Sequence, residues 1–145
     1  MSLLEQTVER VKQWGSDRAD DRKQCIALLQ QIARNMDSAI AVWEALQQEA
    51  PETRNAFTAI LAIGPERAKK LYQIYQDQKD VSGELTALSG VKFRDTLGIM
   101  DEIDTVQAYG QLKPDETVVD RAAAAIATMK NRRQRVKQAI ESLRQ

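Results

Sequence analysis

Apolar residues recur at intervals of three and four over most of this chain, and no alternating pattern typical of a β-strand appears. Such spacing places apolar side chains on one face of an α-helix. The pattern is interrupted at clusters of Gly, Pro, Ser and Asp, which are the residues that end or begin helices. We therefore predict an all-α fold, a single helical domain over residues 1–145 built as a multi-helix bundle of about six helices.

Two of the predicted helices are long and carry heptad stripes, at about residues 17–49 and 114–143. The stripe of the first consists of Cys25, Leu29, Ile32, Met36, Ala39, Trp43 and Leu46. The stripe of the second consists of Val119, Ala122, Ile126, Met129, Arg133, Val136, Ile140 and Leu143. A heptad stripe needs a helical partner along its length. The two long helices are therefore expected to pack on each other.

Shorter elements fill the remainder of the chain. A first helix is predicted over residues 3–14, a corner at Gly64-Pro65, a break at residues 80–83 and a helix end at Ser89-Gly90. A further helix is expected over residues 92–109. A helix is expected to begin at Pro65 and to carry Ala68, Leu71, Tyr72 and Tyr75.

The composition limits the environments and partners of the protein. Lys plus Arg and Asp plus Glu number 21 each, so no overall charge draws the chain to nucleic acid or to an anionic membrane. The longest run of small or apolar residues, Ala122–Ala127, is far shorter than a membrane span. The single cysteine excludes an intrachain disulfide and favours a cytoplasmic location. Cys25 lies on an apolar stripe, so we expect a buried and unreactive thiol.

The residue types present exclude several kinds of catalytic site. The chain has no histidine, which excludes Ser-His-Asp and Cys-His catalysis and histidine zinc sites within one chain. Three pairs of aspartates are spaced three residues apart, namely Asp17 with Asp20, Asp77 with Asp80, and Asp101 with Asp104. Two such pairs on neighbouring helices could hold Mg²⁺, so a magnesium-dependent hydrolase is one alternative. Helix starts and turns also explain such aspartates, and we predict no enzyme activity and no cofactor.

The last helix is rich in basic residues that lie beside its apolar stripe. Lys130, Lys137 and Arg144 flank one edge, and Arg132 flanks the other. Long cationic side chains in such positions cover the margins of a helix–helix contact with their stems. Arg133 falls on the stripe itself, and a charge buried there needs a partner. Asp104 is the partner that we expect.

The corner raises a second possibility. Residues 60–71, ILAIGPERAKKL, are similar to the helix-hairpin-helix motif of many DNA-binding proteins, including X-family DNA polymerases. In that family, backbone N–H groups at a helix N-terminus hold a DNA phosphate, which agrees with the positive end of the helix dipole. The resemblance implies a phosphate contact through Ile63 and Gly64, with positive charge from Arg67, Lys69 and Lys70.

One position departs from the family pattern. Ala62 stands where the family has its first Gly, and a methyl group there hinders close approach of the backbone to a phosphate. The alternative interpretation is a plain corner, in which Gly64 ends one helix and Pro65 begins the next.

These observations predict a non-enzymatic helical-bundle protein that acts as a protein–protein interaction or self-association module. Its partner is expected to be another protein or a second copy of the chain, not a membrane. The residues predicted at the interface are Met36, Trp43, Met129, Arg133 and Ile140. The alternative is a helix-hairpin-helix DNA-binding protein that contacts backbone phosphate through residues 60–71.

Overall fold

The structure, a computed structural model, describes residues 2–49, 56–92 and 117–145. These residues form α1 (Leu3–Lys12), a 3₁₀ turn (Ser16–Arg18), α2 (Ala19–Glu49), α3 (Ala56–Ser89) and α4 (Val118–Arg144). They contain no strand, which confirms the predicted all-α class. The predicted number of about six helices is not confirmed, since the described ranges hold four. The helix expected over residues 92–109 lies almost wholly outside them.

The contact between α2 and α4 is the most extensive in the fold, as the matching heptad stripes predict. Every residue of the α2 stripe from Cys25 to Leu46 exposes at most 1% of its surface. On α4, the described stripe residues are buried except Arg133. The two helices are antiparallel, because the Arg22 guanidinium donates to the Leu143 carbonyl oxygen at 2.6 Å, whereas Arg133 contacts Asp37 farther along α2.

A second column of α2, beside the heptad stripe, is also buried, and α3 packs on this helix as well. Leu28, Asn35 and Val42, which are spaced by sevens, expose 6%, 6% and 5% of their surface. The Asn35 amide donates to the side chains of Asp77 and Gln78 on α3. The short α1 packs against α4 and also contacts α3. Helix α2 is thus the central helix of the described part of the bundle.

The predicted break at residues 80–83 is wrong, because α3 is helical through this segment and continues to Ser89. Val81 and Leu85 face inward and are buried, and this apolar contact stabilises the helix on both sides of Gly83. The Ser82 hydroxyl donates to the Gln78 carbonyl oxygen at 2.7 Å, so its polar group is satisfied within the helix. The cost of one exposed Gly is too small to interrupt such a helix.

The predicted helix end at Ser89-Gly90 is confirmed. Gly90 has a φ of 76°, and its N–H donates to the Thr86 carbonyl oxygen at 2.9 Å. Two arginines from the N-terminal part of the chain reach the last carbonyls of α3. Arg10 donates to Ser89 and Arg18 to Leu88, each at 3.4 Å. Cations are favourable at this negative end of the helix dipole.

The last helix begins later than the predicted residue 114. Thr117 is its N-cap, with an extended backbone, and Val118 is its first residue. The Thr117 hydroxyl accepts from the Asp120 N–H, and the Asp120 carboxylate accepts from the Thr117 N–H. This capping box satisfies two backbone donors that the helix itself leaves unpaired, which is why the helix starts here.

Gly83 provides a test of the continuous helix. We expect Gly83→Ala to raise the free energy of unfolding by about 0.5–1 kcal/mol, because alanine favours a helix more than glycine does. A Cβ at this position would meet no atom within 4 Å. Urea denaturation followed by circular dichroism measures the change.

Gly90→Ala is the matched control, and it should destabilise the protein. Its φ is positive, and its Cβ would lie 2.7 Å from Arg10 Nη1. A break in the helix at residues 80–83 would instead make Gly83→Ala neutral or destabilising.

Candidate binding surface on the third helix

The chain kinks at Gly64, inside the helical segment α3. Gly64 has φ 78° and ψ 161°, a combination that essentially only glycine adopts. Pro65 follows directly, in the position where its fixed φ suits the first turn of a helix. The corner predicted at Gly64-Pro65 is therefore present in the backbone.

The residues predicted to contact phosphate do not all lie on one side of α3. Lys69 and Lys70 are exposed, close behind the kink. Arg67 is half-buried, and it precedes the buried Leu71 by one helical turn, so it lies toward the interior. The side chain of Ile63 lies outside the described residues. Of the three cationic residues, Lys69 and Lys70 are thus exposed, whereas Arg67 is half-buried.

The solvent-exposed side of α3 carries an exposed aromatic ring. Tyr72 exposes 63% of its surface. Among the described residues, it is the one large hydrophobic side chain that is exposed. The helix turns Leu71 and Ile74 inward instead. We name the set Lys69, Tyr72, Gln73, Gln76 and Asp80 the α3 face. Steps of three and four residues place these side chains on one side of the helix.

The α3 face has a charge at each end and no buried charge. Lys69 lies toward the kink, and Asp80 lies about three turns farther along. Beside the face, the Lys79 ammonium lies 5.7 Å from the centre of the Tyr75 ring, within the range of a cation–π contact. The surface therefore combines aromatic and charged groups of both signs.

The predicted interface residues lie inside the chain. Met36, Trp43 and Met129 are fully buried, and Ile140 exposes 6% of its surface. They belong to the core in which α2 and α4 pack together. Contact between these four side chains and a partner would require the bundle to open.

Arg133 forms an ion pair with an acidic residue of α2. Its Nη1 donates to Asp37 Oδ1 at 2.6 Å, whereas Asp104 lies outside the described residues. The two side chains expose 27% and 49% of their surface, so the pair is half-buried. Water screens such a pair, and its contribution to stability is about 1 kcal/mol or less. The contact spans the α2–α4 boundary and favours one register of the two helices.

Cys25 is buried, as expected. The pKa of its thiol is raised to about 11, chiefly because burial disfavours the charged thiolate. The nearby Arg18 acts to lower this pKa, and Asp21 acts to raise it. The reactive species of a cysteine is its thiolate. At neutral pH the side chain is therefore an apolar group of the core.

The aspartates do not form a metal site in the described parts of the chain. Asp17 and Asp20 are exposed near the start of α2, and Asp77 accepts hydrogen bonds from side-chain amides of α2. In the ranges given above, no group of three or more His, Cys, Asp or Glu residues is placed to hold a metal ion. The pair Asp101 and Asp104 lies outside those ranges.

A network of amide side chains joins α2 to α3 and was not predicted. The Asn35 amide donates to Gln78 Oε1 at 2.8 Å and to Asp77 Oδ2 at 2.7 Å. Gln31 donates to the same oxygen of Asp77 and to Asn35 Oδ1, at 3.1 Å in each case. Asn35 and Gln78 are buried. Asn35 lies seven residues from Leu28 and Val42, and Gln78 lies seven residues from Leu71 and Leu85. This spacing was the signal in the sequence that could have identified both amides as buried.

Comparison with known proteins gives no relative. No family model, no curated protein and no solved structure matches this chain. Among the described residues, no helix is both long and apolar enough to cross a membrane.

The buried thiol predicts a pH dependence of stability. The pKa of Cys25 is raised from 9.0 to about 11 in the folded chain, so only the unfolded chain loses this proton between those values. The stability that the neutral thiol confers is complete below pH 9 and is lost as the pH rises toward 11, at up to about 1.4 kcal/mol per pH unit.

Comparison with Cys25→Ala isolates this effect from other groups that titrate in the same range. At pH 7 the variant should be less stable by about 1 kcal/mol, because it leaves a small cavity. The difference should shrink, and can reverse, between pH 9 and 11. A difference that stays constant over this range, measured by urea denaturation, would contradict the assignment.

Proposed function

We propose that this protein is a non-enzymatic helical-bundle module that associates with a second copy of itself through the α3 face. The observation that carries the proposal is the exposed Tyr72 ring at the centre of this face, with 63% of its surface in solvent. Tyrosine is enriched among the residues that contribute most to protein–protein binding. The core of the bundle contains Met36, Trp43, Met129 and Ile140, so these side chains are not accessible to a partner. The α3 face is exposed, and we assign association to it.

The charges of the α3 face are complementary to themselves when two copies meet antiparallel. If a two-fold axis passes between Gln73 and Gln76, Lys69 of each copy lies opposite Asp80 of the other. The symmetry repeats each contact, as in any isologous dimer. The same arrangement brings each Tyr72 ring near Lys79 of the second copy, and a lysine over a tyrosine ring is a favourable pair.

The strength expected of this contact is modest. Exposed ion pairs contribute about 0–1 kcal/mol each and weaken with salt. One aromatic anchor on each copy adds buried apolar area. We expect a dissociation constant of about 100 µM at low ionic strength.

Charge reversal tests the proposed pairing. Lys69→Glu should weaken association about 5- to 30-fold, because two like-charge contacts replace two ion pairs. Asp80→Lys should have a similar effect, and the double variant Lys69→Glu/Asp80→Lys should restore association because the pairs are reversed and complete. Sedimentation equilibrium at two salt concentrations measures the dissociation constants.

Lys23→Glu serves as the control, since Lys23 is an exposed lysine of α2, away from the α3 face. It changes the net charge by the same amount as Lys69→Glu. A chain that stays monomeric to about 1 mM at low salt would reject self-association. Dimerisation that the double variant does not restore would reject this geometry.

DNA binding at the Gly64 corner is the second candidate. It is supported by the positive φ of Gly64, 78°, and by the exposed Lys69 and Lys70 behind it. A helix N-terminus with nearby cations favours a phosphate group. Two features oppose it, because Pro65 has no N–H to donate and Arg67 lies toward the interior.

Titration with duplex DNA separates this candidate from self-association. If the corner binds phosphate, we expect a dissociation constant of about 1–100 µM at low salt, rising steeply as salt is added. Lys69→Glu/Lys70→Glu should abolish the binding, whereas Lys12→Glu/Lys23→Glu, with the same change of charge, should leave most of it. Absence of binding at low salt would exclude the candidate.

A further inference from the structure

The contact between α2 and α3 contains a buried pair of amides at matching positions. On α2, Asn35 lies seven residues from both Leu28 and Val42. On α3, Gln78 lies seven residues from both Leu71 and Leu85, and all six residues are buried. The Asn35 amide donates to Gln78 Oε1 at 2.8 Å. Each helix therefore interrupts an apolar column with one amide, and the two amides meet.

One group of this pair has no partner. Gln78 is completely buried, yet its Nε2 lacks an acceptor. A buried donor without an acceptor loses its hydrogen bonds to water and gains none in the protein. On α4, side-chain nitrogens without a partner also occur, at Arg132 and Arg133, but these two side chains are only half-buried. The orphaned donor of α3 differs because it belongs to a fully buried side chain inside the contact with α2.

The two ends of this part of α3 are also weakly restrained. At one end the backbone kinks at Gly64, where rotation meets no side-chain barrier and a Cβ would contact nothing. At the other end, the contacts of Arg10 and Arg18 with the last carbonyls are long, at 3.4 Å.

We propose that residues 65–89 of α3 separate from α2 as one unit while α2 and α4 stay packed. Local opening with a lower free energy than global unfolding is common in proteins, and it starts where buried contacts are weakest. The amide pair favours the register of the closed state, because a shift of either helix would break the hydrogen bond from the Asn35 amide to Gln78 Oε1. The helix is then a conformational element with one closed position and an open state that exposes α2. This inference does not depend on the proposed self-association.

Amide hydrogen exchange of the full-length chain, followed by mass spectrometry, tests this opening. Peptides from residues 65–89 should exchange at least about tenfold faster than peptides from the centres of α2 and α4. The measurement is made at a concentration low enough for the chain to be monomeric, so that association does not affect it.

Two variants should shift the exchange of α3 in opposite directions. Asn35→Leu leaves the buried Gln78 without its donor, so α3 should exchange about 5- to 150-fold faster. Asn35→Leu/Gln78→Leu replaces both amides by apolar groups, so α3 should exchange more slowly than in the native chain. Peptides from the centre of α4 report whether each variant is folded, and they should change little in either.

Equal protection of α3 and α4 in the native chain would overturn the proposal. The same holds if the double variant exchanges in α3 as fast as the native chain. A double variant that slows α3 and α4 together would also overturn it, because α3 would then open only with the whole fold.

Discussion

The fold depends on the burial of α2 on two sides. Each residue of its heptad stripe from Cys25 to Leu46 exposes at most 1% of its surface. A second column on the same helix, Leu28, Asn35 and Val42, exposes 5–6%. A helix that is apolar over so much of its surface cannot remain in water, and it needs neighbours on both sides. Helices α4 and α3 both pack on α2. The remaining contacts decide how these two neighbours are aligned and how firmly each is held.

Polar contacts set the alignment in two different ways. Between α2 and α4 they lie at the margin, where Arg22 binds the carbonyl of Leu143 and Arg133 binds Asp37. These pairs stay in reach of water, so they specify register at little cost in stability. Between α2 and α3, Asn35 and Gln78 meet inside the contact. A buried amide pair is more selective, since any shift leaves its donors and acceptors unpaired, but it contributes less than apolar groups in the same space.

The sequence allowed the α2–α4 contact to be predicted, because every member of a stripe carries the same signal and one exception, Arg133, does not hide it. The interruption expected at residues 80–83 shows the limit of that reasoning. A local cluster of Asp, Ser and Gly resembles a turn, but the burial of Val81 and Leu85 against α2 decides the conformation. The partners of polar side chains were harder to predict than the helices. Arg133 and Asp37 are 96 residues apart, and no local pattern relates them. The Gly64 corner was predictable because glycine and proline act on the backbone of their own residues.

Helix α3 connects the two proposals through a simple equilibrium. Its outer side carries the α3 face, and its inner side carries the amide pair. A second copy bound to the outer side would recognise the helix in its closed position, where Lys69, Tyr72 and Asp80 project from a rigid surface. Binding that prefers the closed state lowers the population of the open state by mass action. Opening would in turn weaken association, because the apparent affinity is proportional to the fraction of molecules in the closed state. Self-association at the outer surface and release of α3 from α2 would therefore oppose each other, although the α3 face and Gln78 lie on opposite sides of the helix.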